Sequence, residues 1–285
     1  MEKKILGKTG EAIAAIGFGT WGIGGRETAD YSMDDKAVEA IRYAVELGMN
    51  HIDTAEIYAA GHAEELVGEA VKIFPRDEVF IASKVWPSNL RYEDVLKSCR
   101  RSLERLRLKY LDLYMVHWPN PRIPIDETMK AMEKLVKDGL IRHIGVSNFD
   151  VPLLEKAMES LKSQEIVSNQ VIYSLDERGI EKELLPFCER NKITVIAYTP
   201  LGKGKIAAEA RMRTSRGKVL ADIAARYGKT PNQVALNWVI YKPNVVTIPK
   251  SINKDHISEN AGGAGWRLTE EDYELLSKTW KTPST

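Results

Sequence analysis

The feature that most constrains the fold is a regular alternation of short apolar runs with amphipathic stretches along the chain. The runs are rich in β-branched residues and too short for typical helices. Most also lack polar alternation, so they predict buried parallel strands. The predicted strands are Ile13–Phe18, Asn50–Asp53, Val79–Ser83, Leu111–His117, His143–Ser147, Ile166–Val171, Thr194–Tyr198 and Val245–Ile248. Between them, Asp34–Leu47 and Asp126–Asp138 carry apolar residues at helical spacing.

Strand and helix alternate with a period of about 30 residues, which is the length of a βαβ unit. The chain has 285 residues, close to the roughly 250 typical of a (β/α)8 barrel. Right-handed βα units in a chain of this length favour a closed barrel over an open doubly wound sheet. The sequence therefore predicts an α/β fold, one (β/α)8 TIM barrel domain over 1–285, with its active site at the carboxyl ends of the strands.

Three segments fall outside the repeat. Residues 1–10 contain a Lys-Thr-Gly turn and predict a β-hairpin that caps the bottom of the barrel. The interval 201–244 is longer than one connection needs, and predicts a Gly/Lys-rich loop followed by helical stretches at Val219–Tyr227 and Pro231–Ile240. Residues 268–285 predict a C-terminal helix and tail, with Thr269 as the N-cap.

Charge and composition exclude several classes of function. Lys plus Arg number 41 against 40 for Asp plus Glu, a balance that argues against a nucleic-acid binder because such proteins need a basic face. No apolar run approaches the roughly 20 residues of a membrane span, and the N-terminus lacks a secretory signal. Cys99 and Cys188 are far apart and form no ligand spacing. We expect a cytoplasmic protein with reduced thiols and no membrane contact.

The sequence Gly17-Phe18-Gly19-Thr20-Trp21-Gly22 matches the G-x-G-x-x-G pattern of dinucleotide-binding Rossmann folds. In those folds the last glycine opens a helix whose amides hold a pyrophosphate. Here the next helical pattern starts only near Asp34, and Arg42 stands where an acidic ribose-binding residue is expected. These departures favour a glycine-rich loop that lets a ligand approach the backbone.

Polar residues stand at the carboxyl end of most predicted strands, where barrel active sites form. They are Asp53-Thr54, Ser83-Lys84, His117-Trp118, Ser147-Asn148, Asn169-Gln170, Tyr198 and Lys250-Ser251. A lysine and an aspartate at adjacent strand ends are costly to bury unless they pair. Such an ammonium would lower the pKa of the nearby Tyr58 and make it a usable general acid. His117 could polarise a carbonyl oxygen.

These residues lie in motifs that resemble the aldo-keto reductases, in the family's order from Gly17 to Asn260. The motifs are Asp53-Thr54-Ala55-x-x-Tyr58, Ser83-Lys84-Val85-Trp86, Leu111-Asp112-Leu113-Tyr114-Met115-Val116-His117-Trp118-Pro119, Gly145-Val146-Ser147-Asn148-Phe149, Asn169-Gln170, Ala197-Tyr198-Thr199-Pro200-Leu201-Gly202, and Ile248-Pro249-Lys250-Ser251 with Glu259-Asn260. The resemblance implies an NAD(P)H-dependent carbonyl reductase. Its catalytic tetrad would be Asp53, Tyr58, Lys84 and His117, with Tyr58 as the general acid and no metal.

The resemblance also implies a site for NADPH/NADP+. The implied cofactor residues are Gly19, Thr20, Trp21, Ser147, Asn148, Gln170, Tyr198, Pro200, Leu201, Gly202, Lys203, Ile248, Lys250, Ser251, Asn253, His256, Glu259 and Asn260. Trp21, Trp86 and Trp118, with His117, would line an aromatic pocket for a small-molecule carbonyl substrate. We expect a monomer or weak homodimer.

The sequence departs from the family pattern at three places. Ala59 follows Tyr58 where the family usually has glycine, which predicts an ordinary backbone conformation there. His256 stands where many NADPH-preferring members carry arginine, so we expect NADPH preference with appreciable NADH use. The tail after Asn260 is short, which predicts an open, tolerant site.

Two alternatives differ in class from a reductase. Some chains of this fold, such as potassium-channel β subunits, act partly as nicotinamide-binding regulatory modules, but the complete tetrad argues against that function. A metal-dependent barrel hydrolase is the other alternative, because His51-x-Asp53 loosely resembles a strand-borne metal motif. The remaining histidines supply no second matched pair of ligands.

Overall fold

The structure is a computed structural model that describes residues 1–280; residues 281–285, the end of the predicted tail, lie outside the described residues. Eight parallel strands form the main sheet, in sequence order from one edge to the other. They are β3 (Phe18–Gly19), β4 (His51–Asp53), β5 (Phe80–Val85), β6 (Leu111–Val116), β7 (Ile141–Ser147), β8 (Ile166–Ile172), β9 (Thr194–Tyr198) and β10 (Val245–Thr247). From β4 onward, the strand bounds agree with the predicted ones to within two residues.

Helices cover the outside of this sheet. They are α1 (Asp34–Glu46), α2 (His62–Val71), α3 (Tyr92–Leu106), α4 (Ile125–Lys137), α5 (Val151–Ser160), α6 (Leu184–Asn191), α7 (Lys205–Met212), α8 (Ser215–Tyr227), α9 (Pro231–Val239), α10 (Lys254–Ala261) and α11 (Glu270–Thr279). The outer core lies between these helices and the sheet. In α3, for example, Val95, Cys99 and Leu103 are buried at helical spacing, whereas Arg100 is exposed.

Hydrogen bonds between the first and last strands close the sheet into a barrel. The Gly17 amide donates to the Thr247 carbonyl over 2.7 Å, and the Thr247 amide donates to the Ala15 carbonyl over 2.9 Å. The Gly19 amide adds a bond of 3.1 Å to the Pro249 carbonyl. The chain therefore forms the predicted (β/α)8 barrel, in which closure leaves no sheet edge exposed.

The N-terminal hairpin is present, with bounds that differ from the prediction. Its strands are β1 (Lys3–Ile5) and β2 (Ala12–Ala14), paired antiparallel, so the hairpin extends beyond residue 10. Leu6 and Ile13 are fully buried in the barrel interior beside Phe80. The hairpin thus plugs the bottom of the barrel with apolar side chains.

The predicted first strand, Ile13–Phe18, was wrong as a single element. Ile13 and Ala14 belong to the second strand of the hairpin, and the Ala15 amide still donates to the Glu2 carbonyl. From Gly17 onward, the backbone pairs with the last strand and closes the barrel. One continuous apolar run therefore contributes strands to two sheets, and its hydrophobicity does not reveal the boundary between them. Helix α7 was also not anticipated within the interval predicted to begin as a loop.

The helical stretches predicted after residue 201 correspond to α8 and α9, and the predicted C-terminal helix corresponds to α11. The side chain of Thr269 accepts a hydrogen bond from the Asp272 amide, which confirms Thr269 as the N-cap. Within residues 1–280, no helix is both long and apolar enough to cross a membrane.

Candidate active site

The predicted tetrad residues converge at the upper end of the barrel, which is the end where the strands finish. Asp53 is the last residue of β4, Lys84 lies in β5, and His117 follows β6 directly. Tyr58 lies in the 3₁₀ turn Tyr58–Gly61 between β4 and α2. All four side chains are buried, Lys84 completely. Parallel strands bring these residues together because their carboxyl ends meet on one face.

The Lys84 ammonium is the centre of the cluster. It donates to Asp53 Oδ1 over 2.6 Å, to the Thr54 carbonyl over 2.8 Å and to the Tyr58 hydroxyl over 3.2 Å. Burial lowers the pKa of Lys84, but Asp53 and Tyr58 outweigh burial, so the pKa lies above its ordinary value. Lys84 is therefore a protonated, fully hydrogen-bonded cation beside a phenol.

The pKa of Tyr58 differs from the expectation of a value lowered toward neutrality. Burial raises this pKa, Lys84 lowers it and Asp53 raises it, and the net direction is upward. The prediction counted the ammonium and omitted the desolvation of a phenolate that is enclosed on most sides. The consequence is that Tyr58 carries its proton at neutral pH.

His117 is neutral. Burial and the nearby Lys84 lower its pKa to about 2. Its ring meets the Tyr58 ring edge-on at 5.5 Å between centroids and the Trp86 ring at 5.2 Å. Its Nδ1 atom finds no hydrogen-bond partner within residues 1–280. A neutral imidazole holds a single N–H proton, so it can donate one hydrogen bond without adding a charge.

A chain of amides continues the cluster across β7, β8 and β9. Gln170 Nε2 donates to Asp53 Oδ2 over 2.7 Å, which holds the carboxylate from the side opposite Lys84. Asn148 Nδ2 donates to the His117 carbonyl over 3.1 Å and to Ser147 Oγ over 2.9 Å. The Tyr198 hydroxyl donates to Asn148 Oδ1 over 3.0 Å. The protein itself thus fixes the orientation of both amides.

The turn that carries Tyr58 does not have the ordinary backbone conformation expected from Ala59. Ala59 has φ 51° and ψ 38°, and Ala60 has φ 55° and ψ 32°, both in the left-handed region. The expectation was wrong because it considered only the intrinsic backbone preference of alanine. Here the surrounding structure imposes the glycine-like conformation on alanine, at a cost in strain.

Two of the three predicted pocket tryptophans contact the tetrad. The Trp21 ring meets the Tyr58 ring edge-on at 5.0 Å, and Trp86 contacts His117 as described. Trp21 and Trp118 are exposed over 52% and 45% of their surface. An aromatic residue that is half exposed beside a buried polar cluster is available to a ligand.

The other predicted cofactor residues lie in three segments around the same end. Thr20 follows β3, and both its amide and its hydroxyl donate to the Asp53 carbonyl over 3.0 Å. Pro200, Leu201, Gly202 and Lys203 follow β9, and Ile248, Lys250, Ser251, Asn253, His256, Glu259 and Asn260 follow β10 or lie on α10.

Several of these residues have a packing role that the sequence did not reveal. A Cβ at Gly19 would lie 2.7 Å from the Ile248 carbonyl oxygen, so barrel closure itself requires glycine there. Ile248 points into the barrel interior and Asn260 is buried. Asn253 caps α10 by accepting from the amides of Asp255 and His256, whereas the His256 side chain is exposed.

Sequence reasoning missed three contributors. The Thr54 carbonyl accepts from Lys84, and Glu56 Oε1 accepts from the Trp86 amide over 2.7 Å, which fixes the loop that carries Trp86. The Arg26 carbonyl accepts from the Ala59 amide over 2.8 Å and so touches the Tyr58 turn. Glu56 had a signal, since it is an acidic residue in the loop two positions before Tyr58, whereas Thr54 and Arg26 contribute through their backbone carbonyls.

No group of three or more His, Cys, Asp or Glu side chains within residues 1–280 could hold a metal ion. His51, the first residue of the loosely metal-like His51-x-Asp53, is fully buried and packs edge-on against Phe80. Burial lowers its pKa to about 4, so it is a neutral residue of the barrel interior.

The sequence profile of the aldo/keto reductase family matches residues 15–281 of this chain. The chain belongs to the aldo-keto reductase family. The predicted recognition, fold and reaction class are confirmed: the protein is an NADP-dependent oxidoreductase that reduces carbonyl groups.

Similar proteins are found in both sequence and structure. Methylglyoxal reductase YeaE of Escherichia coli is 37% identical over 284 residues, covering 99% of this chain and 97% of the relative. The thermostable aldo-keto reductase Tm1743, solved with the inhibitor epalrestat, is 47% identical with a TM-score of 0.91, over 98% of this chain and 100% of that one. An aldo-keto reductase from Klebsiella pneumoniae, solved with NADPH, is 36% identical with a TM-score of 0.90, over 100% and 97%.

Proposed function

We propose that Asp53, Tyr58, Lys84 and His117 carry out the reduction, with Tyr58 as the proton donor and a small α-oxoaldehyde as the substrate. The observation that supports this assignment best is the buried Lys84 ammonium, which joins the Asp53 carboxylate to the Tyr58 hydroxyl. A cation held in this way has little use in packing, because an ion pair of this kind stabilises a fold weakly. It is well placed to stabilise an oxyanion.

The residues present fit a dinucleotide phosphate cofactor. Lys250 makes no ion pair within residues 1–280, and partial desolvation of its ammonium, together with the nearby Arg26, lowers its pKa. A Cβ at Gly22 would lie 3.9 Å from the Lys250 ammonium, so the lysine faces the glycine-rich turn after β3. Two neighbouring cations, neither of which forms an ion pair with the described residues, suit a phosphate group. The half-buried Tyr198 ring offers a flat surface for the nicotinamide.

When bound, NADPH supplies the hydride that reaches the carbonyl carbon. Tyr58 donates its hydroxyl proton to the carbonyl oxygen, so an alcohol and a Tyr58 phenolate are formed. Lys84 stabilises this phenolate from 3.2 Å, and Asp53 holds Lys84 in place. The raised pKa of Tyr58 keeps its proton in place until the carbonyl oxygen gains negative charge.

His117 orients the carbonyl oxygen by one hydrogen bond, because its neutral imidazole holds a single N–H proton. Trp21, Trp86 and Trp118 enclose the substrate. The choice of a small α-oxoaldehyde rests on the 37% identical methylglyoxal reductase of Escherichia coli. The exposed Trp21 and Trp118 suit a site that also accepts larger aromatic aldehydes.

The test compares wild type with Tyr58→Phe in initial rates of NADPH oxidation by methylglyoxal and by an activated aromatic aldehyde. We expect kcat to fall by about 10²–10⁴, while NADPH binding, followed by quenching of tryptophan fluorescence, is retained. Tyr114→Phe is the matched control, because the Tyr114 hydroxyl is buried in the barrel wall without a hydrogen-bond partner in the described chain. Equal kcat in Tyr58→Phe and wild type would remove Tyr58 from the mechanism. Tight NADPH binding by a wild type without turnover would favour the regulatory module.

We further propose that the enzyme prefers NADPH and uses NADH appreciably, because histidine stands at 256. Arginine offers a planar, permanently charged fork that binds phosphate in bidentate fashion, and the exposed His256 imidazole has no such fork. His256→Arg is expected to lower KM for NADPH and leave KM for NADH unchanged. Equal kcat/KM for both cofactors in wild type would contradict the preference.

A cytoplasmic location, a single domain over 1–285 and a monomer or weak homodimer complete the proposal. Cys99 and Cys188 are both buried free thiols, which is typical of proteins from a reducing compartment. Sedimentation at several protein concentrations measures the oligomeric state, and a stable tetramer would contradict the proposed monomer or weak homodimer.

A further inference from the structure

The turn Tyr58–Gly61 holds the proposed proton donor in a strained backbone. Ala59 and Ala60 both have positive φ, 51° and 55°, and Gly61 follows with φ 98°. L-residues other than glycine adopt this region at a cost, so the turn persists only if its surroundings impose it. Contacts on either side of the turn must therefore hold Tyr58 in place.

On one side, the Ala59 amide donates to the Arg26 carbonyl over 2.8 Å. On the other side, the Arg105 side chain from α3 lies against Gly61. A Cβ at Gly61 would lie 2.7 Å from Arg105 Cδ and 2.8 Å from Arg105 Nε, so the two residues are in direct contact. Arg105 therefore limits how far the turn can move toward α3.

Arg105 is itself held by Glu64, which is completely buried on α2. Glu64 Oε2 accepts from Arg105 Nε over 2.6 Å, and Glu64 Oε1 accepts from Ser83 Oγ over 2.5 Å. Burial raises the pKa of Glu64, although Arg105 and Ser83 oppose it. Ser83 immediately precedes Lys84 in β5. The Glu64–Arg105 ion pair therefore links the Tyr58 turn to the strand that carries the Lys84 ammonium.

We infer that Glu64 and Arg105 are positioning residues that keep the Tyr58 hydroxyl within reach of Lys84 and the substrate. This inference rests on the proposed role of Tyr58. Neither side chain bonds to a tetrad residue in the described chain; they act through the Gly61 contact and through Ser83. A buried ion pair adds little net stability compared with apolar packing, which favours a geometric role over a merely stabilising one.

Glu64→Gln keeps the size of the side chain and removes its charge. Loss of the charge loosens Arg105 and allows the strained turn to relax. We expect kcat to fall about 10- to 100-fold, since a displacement of about 1 Å can cost about 10² in rate. The Kd for NADPH and KM for the aldehyde should stay within about twofold, because binding groups remain in place. If Glu64→Gln does not accumulate as folded protein, Arg105→Lys makes the same test, because it keeps the charge and loses the planar contact with Gly61.

Glu69→Gln is the matched control. Glu69 lies on the same helix, pairs with Lys72 near the surface and is remote from Gly61, so its kcat should equal that of wild type. Ala60→Gly, added to Glu64→Gln, supplies a rescue. Glycine adopts positive φ without strain, and Ala60 is exposed, so the second change should restore much of kcat without changing packing.

The outcomes separate cleanly, with circular dichroism used to verify that each variant is folded at the assay temperature. A lower kcat with unchanged KM and recovery by Ala60→Gly supports positioning. A kcat within twofold of wild type overturns it, as does a loss that Ala60→Gly does not repair. If Tyr58→Phe itself leaves turnover intact, the proposed function fails first, whatever the Glu64 variants show.

Discussion

At the lower end of the barrel, the Asp112 carboxylate is surrounded by protein donors. It accepts from Arg76 Nη2 over 2.7 Å, from the Ile81 amide over 2.8 Å and from Arg142 over 2.9 Å. At the upper end, Lys84 is equally buried and donates to Asp53 and to the Tyr58 hydroxyl, and that hydroxyl keeps a proton that it can donate. Buried charge at the bottom joins structural elements, whereas at the top it also contacts a hydroxyl that can still donate.

Backbone strain follows the same division. Positive φ at non-glycine residues occurs in helix C-caps and in the upper loops of the described chain. The upper-loop examples are Ala59, Ala60, Asn148, Thr199 and Lys203, and the C-cap examples are Arg107, Lys192 and Arg213. The C-caps need this conformation to end a helix. The upper loops have no such local reason, so the strain there is imposed by the arrangement of the site.

The largest effect is expected from Lys84→Met. It should lower kcat by about 10³ or more and cost about 3–5 kcal/mol of unfolding free energy, because Asp53 loses its partner in a buried site. Steady-state rates and urea denaturation measure both. Lys4→Met is the control from the lower end, where Lys4 is buried and donates to the Lys242 and Val245 carbonyls. It should lower stability and leave kcat unchanged; a comparable loss of kcat would break the division between the two ends.

Asp112→Ala should reduce stability without affecting the reaction. The change leaves the Ile81 amide and two guanidinium groups without their shared acceptor, at a cost of about 1–3 kcal/mol. We expect kcat of the folded enzyme within about twofold of wild type. Asp138→Ala, which removes an exposed ion pair with Lys134, should change stability by less than about 0.5 kcal/mol. Equal stability of the two variants would contradict the structural role of Asp112.

Trp118→Ala should change substrate recognition alone. Since Trp118 is 45% exposed, its removal costs the fold little. KM for an aromatic aldehyde should rise about fivefold, equivalent to about 1 kcal/mol of lost ring contact. Methylglyoxal is the internal control, because it has no ring to lose contact with. An unchanged KM for the aromatic aldehyde would place Trp118 outside the pocket.

The smallest effect concerns pH. Burial lowers the pKa of His62, but hydrogen bonds to Glu65 and Asp34 outweigh burial and raise the pKa above its ordinary value. The stabilisation is therefore complete below the ordinary imidazole pKa of about 6.5 and is lost as pH rises through the higher folded value. The Tm advantage of wild type over His62→Gln should be larger near pH 5.5, below the ordinary imidazole pKa, than at alkaline pH above the raised folded value. An advantage independent of pH would show that folding leaves the pKa of His62 unchanged.

The amino-acid sequence by itself predicted the barrel, the strand ends from β4 onward and the four residues proposed as the tetrad. Hydrophobic periodicity is a local property, so β4 to β10 and most helices could be placed from it. Asp53, Lys84 and His117 could then be brought together because parallel strands end on one face. The family motifs added Tyr58, whose position in a turn carries no periodic signal.

Only the tertiary structure decided the state of these groups. The raised pKa of Tyr58 depends on how completely the phenol is enclosed, and the left-handed backbone of Ala59 depends on contacts with residues distant in sequence. The division of Ile13–Phe18 between hairpin and barrel likewise depends on which partner each amide meets. Desolvation, strain and hydrogen-bond pairing are properties of neighbours in space, so a pattern along the chain does not contain them.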